Sequence, residues 1–549
     1  MASSTLHRFL LFLTLTAAAA STLAEPAWER EIADVRDWIE TKFTDGVHAF
    51  EEELSASRLK AFASELGVSS PQAMEGVGAA EMLETLGKEA LSEVVSSGEG
   101  RSEEAGNEES RREGLLVERP LNLMPAGENA DKDLGHYAGY FRLNRTHDAR
   151  MFYFFFESRG NKSTDPIVLW MTGGPGCSSE LAVFAENGPF QIDNETLELS
   201  WNPYGWDKVS NLVYVDQPIG TGFSYSHDPR DIVHSEKGVS EDMYDFLLAF
   251  YEAHPEYKDH DFFITGESYA GHYVPAVAAK VHAMNKAKQG PHLNLKGIAI
   301  GNGLTQPDIQ YGAYADFAYQ NHLISKITYE GLRIKYPVCA MAIHACGTKG
   351  SISCIAALYI CQTIVVRILA EANNINVYDI RKKCDVAPLC YDFSYLDRFL
   401  NQPAVKKELG VEDRYWVACS PKIQTAMLAD IMRSLEPKIP ALLEDGIRFL
   451  NYAGEFDFIC NWVGNSRWVA VMEWSGQEAY NKAPWVNFTV DGQLAGNFTG
   501  TDQLGFLKVK DAGHLVPMDQ PKNALEMLRR FVRGEKMADE AAQPLAYVI

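Results

Sequence analysis

Residues 264–276 read ITGESYAGHYVPA, and the fold turns on where Ser268 stands within them. An apolar run at 261–265 precedes it. Residues 272–286 follow, with Val274, Val277, Ala278, Val281 and Met284 on one helical stripe. Strand, sharp turn and helix is the setting of the G-x-S-x-G elbow, which lifts a serine hydroxyl clear of a sheet. Gly266 and Ser268 fit that pattern, but Ala270 occupies the place of the second glycine. On these residues alone a serine at an ordinary helix N-terminus fits as well.

Outward from this stretch the chain reads as α/β. Short apolar runs bounded by turn residues predict buried strands at 152–156, 167–171, 211–215, 261–265, 296–300, 447–452 and 505–509. Helical stripes lie between them, such as Val239, Met243, Phe246, Leu247 and Phe250 in 239–251, with Ser240 as the expected N-cap. Strands alternating with helices imply a mostly parallel sheet covered on both faces. The segment 305–437 breaks this rhythm and holds seven of the nine cysteines, which marks it as a cap insertion between a first core part, 116–304, and a second, 438–535. A tail of 536–549 closes the chain, and no internal repeat is visible.

The N-terminus reads differently. After Arg8, FLLFLTLTAAAA leads into small residues ending at Ala24, a signal peptide over 1–24 that is too short to span a bilayer. No later run of about 18 apolar residues is apparent, so no membrane is expected as a partner. Residues 25–115 hold 22 Asp/Glu against 9 Lys/Arg, more than half of the net charge of −24. That balance argues against nucleic acid, whose phosphates require Lys and Arg. The periodic part, 25–95, followed by the polar linker SSGEGRSEEAGNEESRREG at 96–114, predicts an acidic propeptide. An independent acidic domain is the competing reading. Behind a signal peptide the cysteines read as disulfide-forming, because zinc would call for closer C-x₂₋₄-C pairs, and an odd count leaves one cysteine over. Asn144, Asn161, Asn194, Asn487 and Asn497 begin N-x-S/T sequons.

A serine nucleophile needs a histidine base oriented by a carboxylate, and on this topology the chain order is Ser, acid, His. FLNYAGEFDFICN places Glu455 and Asp457 just past the strand 447–452, and FLKVKDAGHLVPMDQP places His514 just past 505–509. The order is met at strand ends, where such sites sit. WMTGGPGCSS, 170–179, follows another strand, and its glycines leave backbone N–H groups free to face an oxyanion. A lone Gly-Gly-Pro-Gly is more often a turn, and the lysine of a phosphate loop is absent.

In order along 116–535, WMTGGPGCSS, DQPIGTGFSY (216–225), GESYAGHY (266–273), GNGLTQP (301–307), GEFDFICNWVGN (454–465) and DAGHLVP (511–517) resemble the serine carboxypeptidase family, and closely its plant type III members. The resemblance implies an α/β-hydrolase fold with a cap, in which alanine is usual where Ala270 stands. It implies Ser268 as nucleophile, His514 as base and Asp457 as its orienting acid, with the N–H groups of Gly174 and Tyr269 as the oxyanion hole. Thr172, Gly173 and Glu267 match the part that holds the substrate's terminal carboxylate; asparagine is frequent where Thr172 sits. Cys460 and Leu515 match the substrate pocket, Leu515 replacing a usual methionine. The cysteine spacings imply Cys177–Cys419, Cys339–Cys361, Cys346–Cys354 and Cys384–Cys390, with Cys460 free. For Cys460 a buried small hydrophobe is the plainer reading.

The expectation is a serine-type carboxypeptidase that releases C-terminal amino acids from peptides and proteins at acidic pH through an acyl-enzyme. No metal or cofactor is expected, and the destination is secreted or vacuolar. An acyltransferase on the same fold shares the Thr-Gly-Gly-Pro-Gly loop, but there an aspartate commonly replaces the glutamate before the serine. An inactive storage or binding homologue would be expected to lose a triad residue type, and all three are present.

Overall fold

RMFYFFF, IVLWM and NLVYV are runs of aromatic and β-branched residues with no polar face, and a strand of that kind can only be a central one, covered on both sides. In the computed structural model they form the strands β3 (Arg150–Phe156), β4 (Ile167–Met171) and β7 (Asn211–Val215). The described residues are 116–120, 134–386 and 389–537. The expected signal peptide and propeptide, and all but two residues of the tail, lie outside them.

Before β3 come β1 (Leu116–Pro120) and β2 (His136–Arg142), and β5 (Phe190–Ile192) pairs with β6 (Leu199–Trp201) in a small ribbon. Then follow β8 (Phe262–Glu267), β9 (Leu295–Gly301), a second ribbon of β10 (Ile375–Asn376) with β11 (Asp379–Lys383), and β12 (Arg448–Gly454). The last strands are β13 (Val486–Val490), β14 (Gln493–Gly500) and β15 (Leu504–Val509). Eleven of them make one sheet in the order β1-β2-β3-β7-β4-β8-β9-β12-β15-β14-β13. The six from β7 to β15 are parallel to one another, and the strands flanking them at either edge are antiparallel. The expected strands are all present within two residues of their predicted ends.

Strand periodicity divides the core. Met151, Tyr153 and Phe155 face the layer of the helices Glu236–Ala253 and Ala270–Ala287, whereas Phe152, Phe154 and Phe156 face that of Glu180–Ala185 and Pro521–Arg533. Phe246 and Phe250 are wholly buried in the first layer, and truncating either to alanine would cost about 3–5 kcal/mol. The first of these helices starts earlier than its stripe predicts. Ser235, extended at φ −164°, is the N-cap, and Ser240 lies inside the helix with its hydroxyl on the Lys237 carbonyl. Glu236, buried in the first turn, carries no apolar signal, and so the stripe begins one turn late.

Between β9 and β12 the chain leaves the sheet and builds a third cluster from the helices Pro307–Gln320, Lys326–Lys349 and Ser351–Glu371. Cys339–Cys361 and Cys346–Cys354 staple the last two together; Cys384–Cys390 closes a small loop and Cys177–Cys419 joins this region to the core. By length and composition Ser351–Glu371 is apolar enough to cross a bilayer, a property hidden in the sequence because Ser, Gln, Thr and Arg interrupt the run. In the fold Cys354, Ala357, Leu358, Cys361, Ile364, Val365 and Ile368 of this helix are buried, in the cluster that its stapled partner shares. Among the described residues no group of acids, cysteines and histidines is arranged to hold a metal ion.

Candidate active site

Ser268 sits between β8 and the helix Ala270–Ala287 with φ +66°, the left-handed region that costs a residue with a β-carbon roughly 1–3 kcal/mol. It is not a helix cap: the cap position is Tyr269, which makes no side-chain capping bond. The turn is held by its backbone. Ser268 N–H donates to Gly301 O (3.0 Å), and its carbonyl accepts from Gly271 (2.9 Å) and Leu304 (3.0 Å). A side chain on Gly266 would strike the Ala270 β-carbon and the Met171 carbonyl. Ala270, wholly buried, is thus small enough for the place of the second elbow glycine.

The ends of β12 and β15 bring the acid and the base together. Asp457 and His514 are buried, and Asp457 Oδ2 lies 2.9 Å from His514 Nδ1. The same oxygen accepts from Asn302 Nδ2 (2.7 Å) and Cys460 N (3.2 Å), and Oδ1 accepts from Ile459 N (3.0 Å), so the carboxylate is fully served as an anion. His514 N–H donates to Tyr378 O (2.7 Å), and the Tyr378 ring lies 5.1 Å from the imidazole. His514 Nε2, the atom that would take the Ser268 proton, is buried with no partner among the described residues. Glu455 points elsewhere: it pairs with Lys508 (3.2 Å) and accepts from Asp511 N (3.3 Å).

The glycine loop lies against the elbow. A β-carbon on Gly173 would meet the backbone of Glu267 and Tyr269, and Gly174 has φ +117°. The N–H groups of Gly174 and Tyr269 donate to no acceptor among the described residues. The loop is pinned behind by Ser178 N to Ala418 O (2.9 Å), by Ser420 N to Gly176 O (2.8 Å) and by the Cys177–Cys419 bond. Thr172 Oγ1 accepts from Trp170 Nε1 (3.0 Å), which leaves its own proton to donate.

Glu267 is 2 % exposed with Oε2 lacking a partner among the described residues. Burial pushes its carboxyl well above the usual range, the charges of Glu186 and Asp457 add to the effect, and the Val516 N–H opposes it. Glu186 is the residue that sequence reasoning missed. It too is buried with an unpartnered oxygen, and burial with nearby Asp519 pushes it up to about 8. The faint signal was an acid closing the apolar run ELAVFAE. The Tyr452 hydroxyl, also without a partner among the described residues, lies close enough for both acids to bear on it. Two buried acids, each held above the usual carboxyl range, and the nearby Tyr452 hydroxyl can supply donors to an anionic group.

Cys460 is free and buried, and burial raises its thiol well above its ordinary pKa. Leu515, next to the base, is partly exposed. All four expected disulfides are formed. Asn144, Asn161 and Asn194 are exposed, whereas Asn487 and Asn497 face one another across β13 and β14, with Asn497 Nδ2 3.3 Å from Asn487 Oδ1.

The model of the family described as serine carboxypeptidase matches residues 125–534. Serine carboxypeptidase 3 of Hordeum vulgare is 58% identical over 422 residues, covering 77% of this chain and 82% of that protein. Serine carboxypeptidase-like 49 of Arabidopsis thaliana is 55% identical over 427 residues, 77% of this chain and 82% of its own. Among solved structures, the prohormone-processing carboxypeptidase Kex1 from Saccharomyces cerevisiae superposes with a TM-score of 0.69 at 24% identity, over 77% of this chain and 97% of that one.

Proposed function

The chain belongs to the serine carboxypeptidase family and is a serine-type carboxypeptidase, and from that premise we propose how it works. Ser268 Oγ attacks the carbonyl carbon of the last peptide bond while its proton passes to His514 Nε2. Asp457, held by Asn302 and two backbone N–H groups, keeps the imidazole in the tautomer with Nε2 free and stabilises the imidazolium. The oxyanion rests on the N–H groups of Gly174 and Tyr269. The C–N bond then breaks, His514 returns the proton to the departing amino acid, and water, deprotonated by the same histidine, releases the peptide from Ser268 as a free acid.

The observation that carries the exopeptidase reading is the buried pair Glu267 and Glu186, each with an oxygen facing no partner among the described residues. An acid that keeps its proton can donate to a chain-terminal carboxylate, and an endopeptidase has no use for such a donor. This makes an acidic working range, and peptides or proteins with a free C-terminus, the natural match. The Thr172-Gly173-Gly174 loop also suits a transferase handing the acyl group to an alcohol, the second reading, which Glu267 disfavours. The cap over 305–437 and an acidic pro-segment over 25–115 complete the organisation. The pairing of β1 with β2 along all five of its residues favours maturation before Leu116. The signal peptide and disulfides fit a secreted or vacuolar destination.

Timed release of amino acids from N-blocked dipeptides tests the reading. Ser268→Ala should fold normally and lose about 10⁴-fold or more in turnover, together with covalent labelling by an organophosphonate. Near wild-type turnover in that variant would refute the assignment, and transfer to added alcohol outrunning hydrolysis would favour the second reading.

A further inference from the structure

Next to the elbow lies a set of buried polar groups that the reaction above does not use. Tyr269 and Tyr273 stand one turn apart on the helix Ala270–Ala287 and its cap, with ring centroids 5.1 Å apart. The Tyr269 hydroxyl donates to Asp430 Oδ2 (3.1 Å), and the Tyr273 hydroxyl accepts from Gly176 N (3.2 Å). Tyr269 therefore carries one expected oxyanion N–H on its own backbone. Tyr273 grips the loop two residues beyond Gly174, which carries the other.

Both hydroxyls lead to acids. Asp430 is 1% exposed, and Glu236, the first residue of the helix Glu236–Ala253, is 4% exposed. The Glu236 N–H faces Asp430, Arg433 Nε stands 3.6 Å from Asp430 Oδ1, and the imidazole of His272, stacked on Tyr269 at 4.5 Å, lies near the same carboxyl. The Glu236 carboxyl has neither oxygen partnered among the described residues, and its charge bears on the Tyr273 hydroxyl. A hydroxyl that accepts from Gly176 still has a proton to give.

Burying two acids side by side is costly. Here Asp430 holds the Tyr269 hydroxyl and the N–H of Glu236, while Tyr273 holds the loop at Gly176. Gly174 is on that loop and Tyr269 on the elbow turn. We propose that Asp430 and Tyr273 are positioning residues for the reaction, Asp430 fixing the Tyr269 N–H through the Tyr269 side chain and Tyr273 fixing the Gly174 N–H through Gly176. The inference rests on Ser268 being the nucleophile.

Tyr273→Phe removes one oxygen and keeps the ring. Complete loss of an oxyanion donor costs about 10²–10³ in kcat, so a donor merely left unguided should cost about tenfold or more, with KM for a blocked dipeptide within about twofold. Affinity for a blocked aminoacyl boronate, whose Ser268 adduct places an oxygen in the hole, should fall by the same factor as kcat. Binding of a product amino acid should not change. Asp430→Ala should behave likewise, and Asp430→Asn, which still accepts the Tyr269 proton, should restore most of the loss. Unchanged kcat and boronate affinity in Tyr273→Phe and Asp430→Ala would overturn the inference, as would a loss of thermal stability alone. If the wild type binds no boronate through Ser268, the nucleophile assignment falls and takes this inference with it.

Discussion

Replacing Glu267 by glutamine separates a proton from a charge at the point where the proposed mechanism has the chain end read. The wild-type carboxyl is 2 % exposed and raised well above the usual range by burial. At acidic pH it therefore donates a charge-assisted hydrogen bond to the substrate carboxylate, worth about 1.5–3 kcal/mol. Because the pKa is raised, that donation is complete at low pH and is lost as pH climbs through the raised value. Two unit charges about 4 Å apart then repel by roughly 4 kcal/mol at an effective dielectric of 20, close to a thousandfold in binding. The wild-type KM for an N-blocked dipeptide should accordingly rise steeply with pH, by at most about tenfold per unit for one proton. Glu267→Gln keeps a donor at every pH and cannot become an anion. Its KM should lie within several-fold of the wild type at pH 5 and stay nearly flat until Glu186 ionises near 8. A blocked amino-acid ester, lacking the carboxylate, should show a flat KM in both proteins. The reasoning fails if KM for the dipeptide climbs as steeply in Glu267→Gln as in the wild type.

Asn302→Ala removes the 2.7 Å bond to Asp457 Oδ2 and the acceptor for Gly454 N; a loss of about 10–100-fold in kcat is expected, and unchanged turnover would remove Asn302 from the triad's support. Unfolding in urea should show higher stability at pH 5 than at pH 8.5. Asp242, raised to about 7 by burial, and Glu186, raised to about 8, favour the fold while protonated, and that contribution fades as pH passes those values. Asp242→Asn should flatten this slope, and equal or greater stability at the higher pH would contradict the burial argument. Mercurials should inactivate slowly, since the Cys460 thiol is buried and raised. Cys460→Ser should keep activity and lose the sensitivity, and inhibition that persisted would point to another group.

What could be read before the fold was known follows from local chemistry. The runs at 167–171 and 211–215 match strand ends to the residue because both faces are buried and polar residues stop them on either side. The antiparallel edges were missed for the opposite reason. β13 and β14 carry Asn487, Asn497, Gly496 and Gly500, residues that read as turns until the neighbouring strand supplies their partners. Ser268, Asp457 and His514 each follow a recognisable strand, so the meeting of Asp457 with His514 could be inferred from topology. Glu186, Asn302, Tyr378 and Asp430 act through approach in space. Asn302 lay within a recognised motif, but nothing in GNG says that its amide meets a carboxylate 155 residues further on.

The bond between Cys177 and Cys419 spans 242 residues and closes three positions after Gly174. A peptidase that trims any exposed chain end is a hazard to the cell that makes it, since nearly every newly made protein offers one. In a reducing compartment that bond would stay open, and the glycine loop packed against the elbow would lose its covalent hold. The loop thus gains its covalent hold only where thiols are oxidised, away from the reducing compartment in which most proteins are made.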